Sequence, residues 1–362
     1  MTLNTNYLAP SGREEAWRFT PLNRLGGLLD ASVELSSSNS LNLTSPASGV
    51  TLQYLPSDKA LPISQTTDEA TLRVRNAVTE VGVLTIAQNA EISEPIILER
   101  KTKNGAPEAS RFLIKAGVNS HSTVIISNQG NAILAEDIEI SVEQGATLNL
   151  VSLQEWDSKT IHLGREHAVV GKDATFNSII VTIGGSLVRL LPTVEYSGQG
   201  GSADLSGLYF ATDGQHLEHR MHVDHNIPNA KSRVNYKGAL AGDKARTVWI
   251  GDVYIRAQAE GTDTYELNRN LLLSDGARAD SVPNLEIETG EIVGAGHAST
   301  TGRFDDEQLF YLSSRGIPAD EARRLVIRGF FQEIVNKIKS GEIQERLMAR
   351  VDGELAKVGA IK

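Results

Sequence analysis

The chain has 362 residues and no cysteine; it is 40% hydrophobic but only 5% aromatic, holds 32 glycines and carries a formal charge of −10. Its acidity, with no basic stripe, excludes a nucleic-acid or anionic-membrane partner, and without a thiolate it can supply neither a disulfide, nor a Cys nucleophile, nor a sulfur ligand for a soft metal. No apolar run reaches the length of a bilayer, and the start, MTLNTNYLAPSGREEAW, lacks the basic and apolar regions of a signal peptide, so no membrane insertion and a cytoplasmic location are expected.

Residues 13–19, REEAWRF, predict a short helix that ends before Pro21 and offers Trp17 as a docking face. Residues 1–80 form a mixed N-terminal segment, and residues 30–120 carry no recognisable motif. From Val81 the texture changes: GVLTIAQ, TVIISNQ, IEISV, ATLNLVSL, NSIIVTIGG and TVWIGDVYI are short, rich in β-branched residues and punctuated by Gly, Asn and Asp, the pattern of many brief strands. Gly145–Val151 aligns with Asp173–Ile179 at an offset of 28, and the segment from Ala203 repeats the pattern 29 later. Such a period predicts stacked rungs, so a mainly β parallel β-helix is expected over residues 81–300. A β-sandwich would give similar strands without the offset.

Four of the eight histidines lie in HLEHRMHVDHN, residues 216–226. On a strand His216 and His222 share one face while His219 and His225 share the other, and on a helix the four fan out, so they cannot converge on one ion. Two same-face imidazoles with Asp224 or Glu218 could hold a metal; hydrogen-bonded or solvated strand residues are the expected reading. The signatures G-x-x-x-x-G-K-[ST], G-x-S-x-G and H-E-x-x-H are absent, so no ATP site is predicted in this chain. A hydrolase carboxylate pair in a β-helix groove is conceivable, as in an enzyme acting on polysaccharide, but no spacing singles out two residues.

After residue 300 the pattern turns helical. DEQLFYL predicts a short helix closed by Gly316, and Pro318 opens a second in which Ala322, Leu325, Val326, Phe330, Ile334 and Ile338 recur at three and four; Ile343, Leu347, Val351 and Leu355 continue the stripe. This module, 301–362, is expected to bury its stripe within itself or to share it with another protein, the former being preferred.

Residues 283–330, PNLEIETGEIVGAGHASTTGRFDDEQLFYLSSRGIPADEARRLVIRGF, resemble the C-terminal signature of the SufB/SufD family of iron–sulfur cluster assembly proteins, through Pro283, Leu285, Glu286, Ile287, His297, Thr300, Gly302, Asp306, Gln308, Leu309, Phe310, Tyr311, Arg315, Gly316, Ile317, Ala322, Gly329 and Phe330. Upstream, His225, Pro228, Asn229 and Ser232 resemble the family's H-x-x-P-N-x-x-S, Tyr236-Lys237-Gly238 its Y-K-G, and Glu14, Glu15, Trp17 and Pro21 a SufD-type start. The resemblance implies a right-handed parallel β-helix between a short N-terminal helical segment and a C-terminal helical module. It also implies a non-catalytic scaffold subunit that pairs with a SufB-like homologue and docks a SufC-like ABC-type ATPase. The missing cysteine points to the SufD branch. His297 then matches a histidine implied at the heterodimer interface, where it shares a transient iron–sulfur cluster with the partner's cysteine. Phe310, Tyr311, Arg315 and Phe330 are the implied partner-interface residues of the tail. The sequence neither calls for nor excludes a flavin. A neutral imidazole is a borderline donor for iron, so a shared Cys/His site could hold a cluster loosely enough to release it.

Overall fold

In the computed structural model, which describes residues 9–103, 105–303 and 306–359, the β-branched segments become consecutive strands of one coil. The protein is mainly β, 48% strand against 16% helix, and forms a parallel β-solenoid of about eight turns. Each turn gives one strand to each of two sheets. The first sheet runs from Glu80–Ile86 to Arg278–Ile287, the second from Ile96–Thr102 to Gly294–Arg303.

The sequence repeat is the sheet register. Leu148 pairs with Phe176 and Phe176 with Ala203, stacking one interior column in which each buried aliphatic side chain contributes about 1.5–3 kcal/mol. On the other face Asn177 donates to Asn149 at 2.9 Å, a ladder of like residues one turn apart. The third repeat is corrected: Phe176 pairing with Ala203 sets its spacing at 27 instead of 29. A slip of two leaves every side chain on its own face.

The Tyr236-Lys-Gly238 motif has a packing cause. Tyr236 pairs with Gly207 and Gly238 with Tyr209, so each phenol ring lies over a glycine of the neighbouring turn, where a Cβ would collide with it.

The two outer faces differ, and so do their covers. The second sheet points Ile125, Val151, Leu153, Ile179, Val181, Leu208 and Phe210 outward, and against them lie Ile327, Phe331, Ile334, Val335, Ile338, Leu347 and Val351 of the tail helices. Where the tail covers them, these strands carry apolar residues on both faces because both are buried there. The tail stripe therefore packs on the solenoid, neither closed within the module nor left free, and it runs through Ile327 and Phe331 where Leu325 was expected; Leu325 is 44% exposed. The tail comprises α2 (Asp306–Ser314), α3 (Ala319–Val335) and α4 (Gly341–Gly359), which follow α1 (Glu69–Ala77) of the N-terminal segment.

The first sheet presents charges instead. α1 is capped by Asp68, which accepts from the Thr71 amide at 2.9 Å, and it brings Arg75 to Asp137 (2.8 Å) and Glu139 (3.0 Å). Arg111 and Arg165 complete this buried network at 2.7 and 2.9 Å. The helix expected over 13–19 is only a 3-10 turn, Glu15–Trp17, followed by a second at Leu22–Arg24. Seven residues before a proline are too few to propagate an α-helix, and the segment is held by Trp17 instead. That ring is buried, donates from Nε1 to Glu69 at 2.7 Å and lies 3.8 Å beneath the Arg189 guanidinium.

The ends of the coil are unlike. Val50–Pro56 and Asn42–Leu43 pair antiparallel with the first strands and cap the start. No strand among the described residues follows Arg278–Ile287 or Gly294–Arg303, so both sheets end in open edges.

Candidate functional site at the open end of the solenoid

The histidine run forms one strand, His216–His225, and alternates as period two requires. His219 and His225 point inward. His219 Nε2 pairs with the Thr182 hydroxyl at 3.0 Å beside Tyr209, and burial pushes its pKa down to about 3. His225 Nε2 pairs with Ser232 at 2.9 Å and stacks on Tyr196, burial lowering it to about 4. The family's H-x-x-P-N-x-x-S is therefore a turn closed by its first and last residues, with Asn229 at φ 59° between them. On the outer face His216 bonds Glu218 at 3.0 Å, and Glu218 also accepts from Thr20 at 2.8 Å. Asp224 is taken by Arg256 at 2.9 Å. Both carboxylates weighed as metal ligands are thus engaged, and among the described residues no group of three His, Asp or Glu could hold a metal ion.

His297 lies elsewhere. Its run GAGHASTTG is not a loop but the last strand of the second sheet, Gly294–Arg303, in register with Asp263–Leu272 of the preceding turn. The companion segment with Pro283, Leu285, Glu286 and Ile287 is the last strand of the first sheet, where Pro283 suits an edge because its missing N–H leaves no unmet donor. The most specific stretch of the sequence thus builds the open end of the solenoid.

His297 pairs across the ladder with Glu266. Its Nδ1 is 3.6 Å from Glu266 Oε1, and the imidazole side chain is 44% exposed whereas the carboxylate is fully covered. Among the described residues neither Glu266 oxygen has a hydrogen-bond partner, and burial, reinforced by the charge of Asp252, pushes its pKa up to about 8. Beside them a polar chain climbs to the same end: Asn268 donates to Tyr209 at 2.9 Å, Ser281 to Asn268 at 2.7 Å and Ser299 to Ser281 at 2.7 Å. Sequence reasoning missed Glu266. Its signal is positional, one turn before His297 at the same register.

The tail residues separate. Phe310 (76% exposed) and Tyr311 (57%) stand out from α2, and Arg315 covers the Tyr311 ring at 5.3 Å. Phe330, on α3, is half-buried against the Phe331 ring, and Lys237 of the solenoid donates to its carbonyl at 2.9 Å. Phe310, Tyr311 and Arg315 therefore form one exposed group, whereas Phe330 belongs to the joint between tail and solenoid. No helix among the described residues is long and apolar enough to cross a membrane.

A family model described as SUF system FeS cluster assembly, SufBD core domain, matches residues 99–330. Over 354 residues the chain is 48% identical to the iron–sulfur cluster assembly SufBD family protein Rv1462 of Mycobacterium tuberculosis, covering 96% of this chain and 89% of that one. It is 46% identical over 359 residues to the SufBD family protein ML0594 of Mycobacterium leprae, covering 96% and 90%. It is 28% identical over 216 residues to the iron–sulfur cluster assembly protein SufD of Escherichia coli, covering 60% and 51%. On a family model that spans most of the solenoid and relatives that match nearly the whole length, the chain belongs to the SufBD family of iron–sulfur cluster assembly proteins.

Proposed function

We propose that the protein is the SufD-like, non-catalytic subunit of a cytoplasmic cluster-assembly scaffold, in which the open solenoid end meets a cysteine-bearing SufB-like homologue. The observation that carries this reading is His297, half-exposed on an edge strand that no further turn among the described residues covers. The chain has no thiolate, so a cluster under assembly, which is cargo here, takes its sulfur ligand from the partner and its imidazole from this side. Weak, mixed ligation across an interface favours release. The exposed Phe310, Tyr311 and Arg315 serve as the docking group for an ABC-type ATPase, and the tail, packed on the second sheet through α3 and α4, couples that docking to the solenoid. Family membership does not favour the polysaccharide-acting alternative.

The test is cluster transfer to an apo-acceptor in cells that rely on this pathway alone. His297→Ala should abolish it while folding and complex recovery persist, because a small side chain suits the edge strand. His222→Ala, on a strand well inside the coil, should leave transfer near normal. Equal transfer by wild type and His297→Ala at equal complex levels would refute the assignment.

A further inference from the structure

We propose that Glu266 is the positioning residue of the His297 site, accepting the Nδ1 proton of the imidazole so that the Nε2 lone pair is held toward the open end. The inference rests on His297 acting as the donor, and four observations support it. Glu266 and His297 are register partners on adjacent turns. The nitrogen facing the carboxylate, at 3.6 Å, is Nδ1, and the geometry of the ring turns Nε2 away from it. Glu266 is fully covered and finds no hydrogen-bond partner for either oxygen among the described residues. Room for the carboxylate is made by Gly251 in the facing sheet, where any Cβ would collide with Glu266 Oε2.

The unpartnered oxygens decide between a structural and a functional role. A buried carboxylate with no bonds stabilises nothing, and an apolar or amide side chain of the same size would be tolerated as well or better. Its value lies in the one group it faces. Whichever of the two holds the proton beforehand, coordination through Nε2 leaves it on Nδ1, opposite Glu266. An imidazole so held keeps one orientation and is the stronger donor, the relation that carboxylates bear to metal-ligating histidines generally. With the carboxylate fully covered and the imidazole half-exposed, Glu266 acts through His297.

Three variants of the full chain, Glu266→Leu, Glu266→Gln and His297→Ala, separate this inference from the reading beneath it. Each is assayed in complex with its partners for transfer to an apo-acceptor, and each chain, labelled with ¹⁵N-histidine, is examined by NMR for the two ring nitrogens of His297, assigned by their loss in His297→Ala. Glu266→Leu should lower transfer about tenfold or more with an unchanged or raised melting temperature, and both ring-nitrogen resonances should move. Glu266→Gln, whose amide oxygen can still accept from Nδ1, should recover part of the transfer. If His297→Ala abolishes transfer and Glu266→Leu leaves both transfer and the ring resonances as in wild type, the positioning role is overturned and the scaffold reading stands. If His297→Ala transfers normally, the scaffold reading itself falls, and this inference with it. Should Glu266→Leu fold poorly, the isosteric Glu266→Gln decides alone: unmoved ring resonances overturn the proposal and shifted ones support it.

Discussion

Glu166 sits on the inward face of strand Ile161–Val170, in register with Ile138 and fully inside the coil. One carboxyl oxygen has no hydrogen-bond partner among the described residues. Burial pushes its pKa up from 4.5 to about 7, against a Ser152 hydrogen bond that lowers it and with an ionised Glu136 that adds to the rise. Glu136 is equally buried, yet the Arg100 guanidinium holds it down to about 2. Between pH 4.5 and 7 the folded chain keeps a proton on Glu166 that the unfolded chain has released. Its contribution to stability is therefore complete below pH 4.5 and is lost as pH rises through 7. At about 1.4 kcal/mol per pH unit, the rise to about 7 is worth about 3 kcal/mol between pH 4.5 and 8.5. Glu166→Gln, the neutral isostere, should match wild type near pH 5 and exceed it by about 3 kcal/mol at pH 8.5. Urea unfolding followed by far-UV circular dichroism across that range measures the difference directly. Taking the variant against wild type cancels the other titrating groups, including Glu266, whose raised pKa gives a slope of the same sign, and the buried histidines, which act at lower pH. A difference that stays constant from pH 5 to 8.5 would refute the reasoning and place Glu166 in contact with water or an unseen cation.

Phe331 is fully buried between tail and solenoid, so Phe331→Ala should cost about 3–5 kcal/mol; an unchanged urea midpoint would mean that the tail is not docked in solution. Phe310 is 76% exposed, so Phe310→Ala should change stability by no more than about 0.5 kcal/mol yet weaken capture of the ATPase partner, and normal capture would remove Phe310 from the docking group. The purified chain reconstituted alone with iron and sulfide should keep no cluster after desalting, since it offers no thiolate; a stoichiometric visible chromophore would contradict this.

The β-helix was legible because its core repeats with the coil: Leu148 and Phe176, or Asn149 and Asn177, are alike because they are neighbours across the ladder. Local reading failed where order comes from far away. α1 is fixed by Arg75 reaching Asp137 and Glu139, 62 and 64 residues on, and no short-range period announces such ion pairs. Within α3 the adjacent Phe330 and Phe331 let the stripe be set through Leu325, Val326 and Phe330 instead of Ile327 and Phe331, while Ile334, Ile338, Leu347 and Val351 are buried as expected. The GAGHASTTG run carries no strand signal of its own, since glycine and alanine are poor strand formers. Only its ladder to Asp263–Leu272 makes it a strand, which is a tertiary fact. His297 was named through family resemblance, and Glu266 becomes visible only once the turn length is known and one can count back a single rung.

That weak last strand bears on what the open end can do. An uncovered edge of a parallel sheet invites pairing with any extended chain, and this protein closes its start with antiparallel strands, whereas among the described residues no strand covers its finish. The bare strand has no large apolar side chain, and its neighbour at the edge carries Pro283, which removes one donor. An edge of this composition costs little to expose and attracts little indiscriminate stacking. If the proposed partner pairs there, its affinity would come from main-chain hydrogen bonds and a few polar contacts instead of a greasy patch, an interface that a shift in a docked neighbour could open. Phe331 and its surroundings, on the same second sheet that ends in His297, give the tail a rigid attachment through which a shift of that kind would act. Under the proposed scaffold role, holding a cluster and then letting it go would draw on this combination of a stiff core, a firmly seated tail and a weakly committed edge.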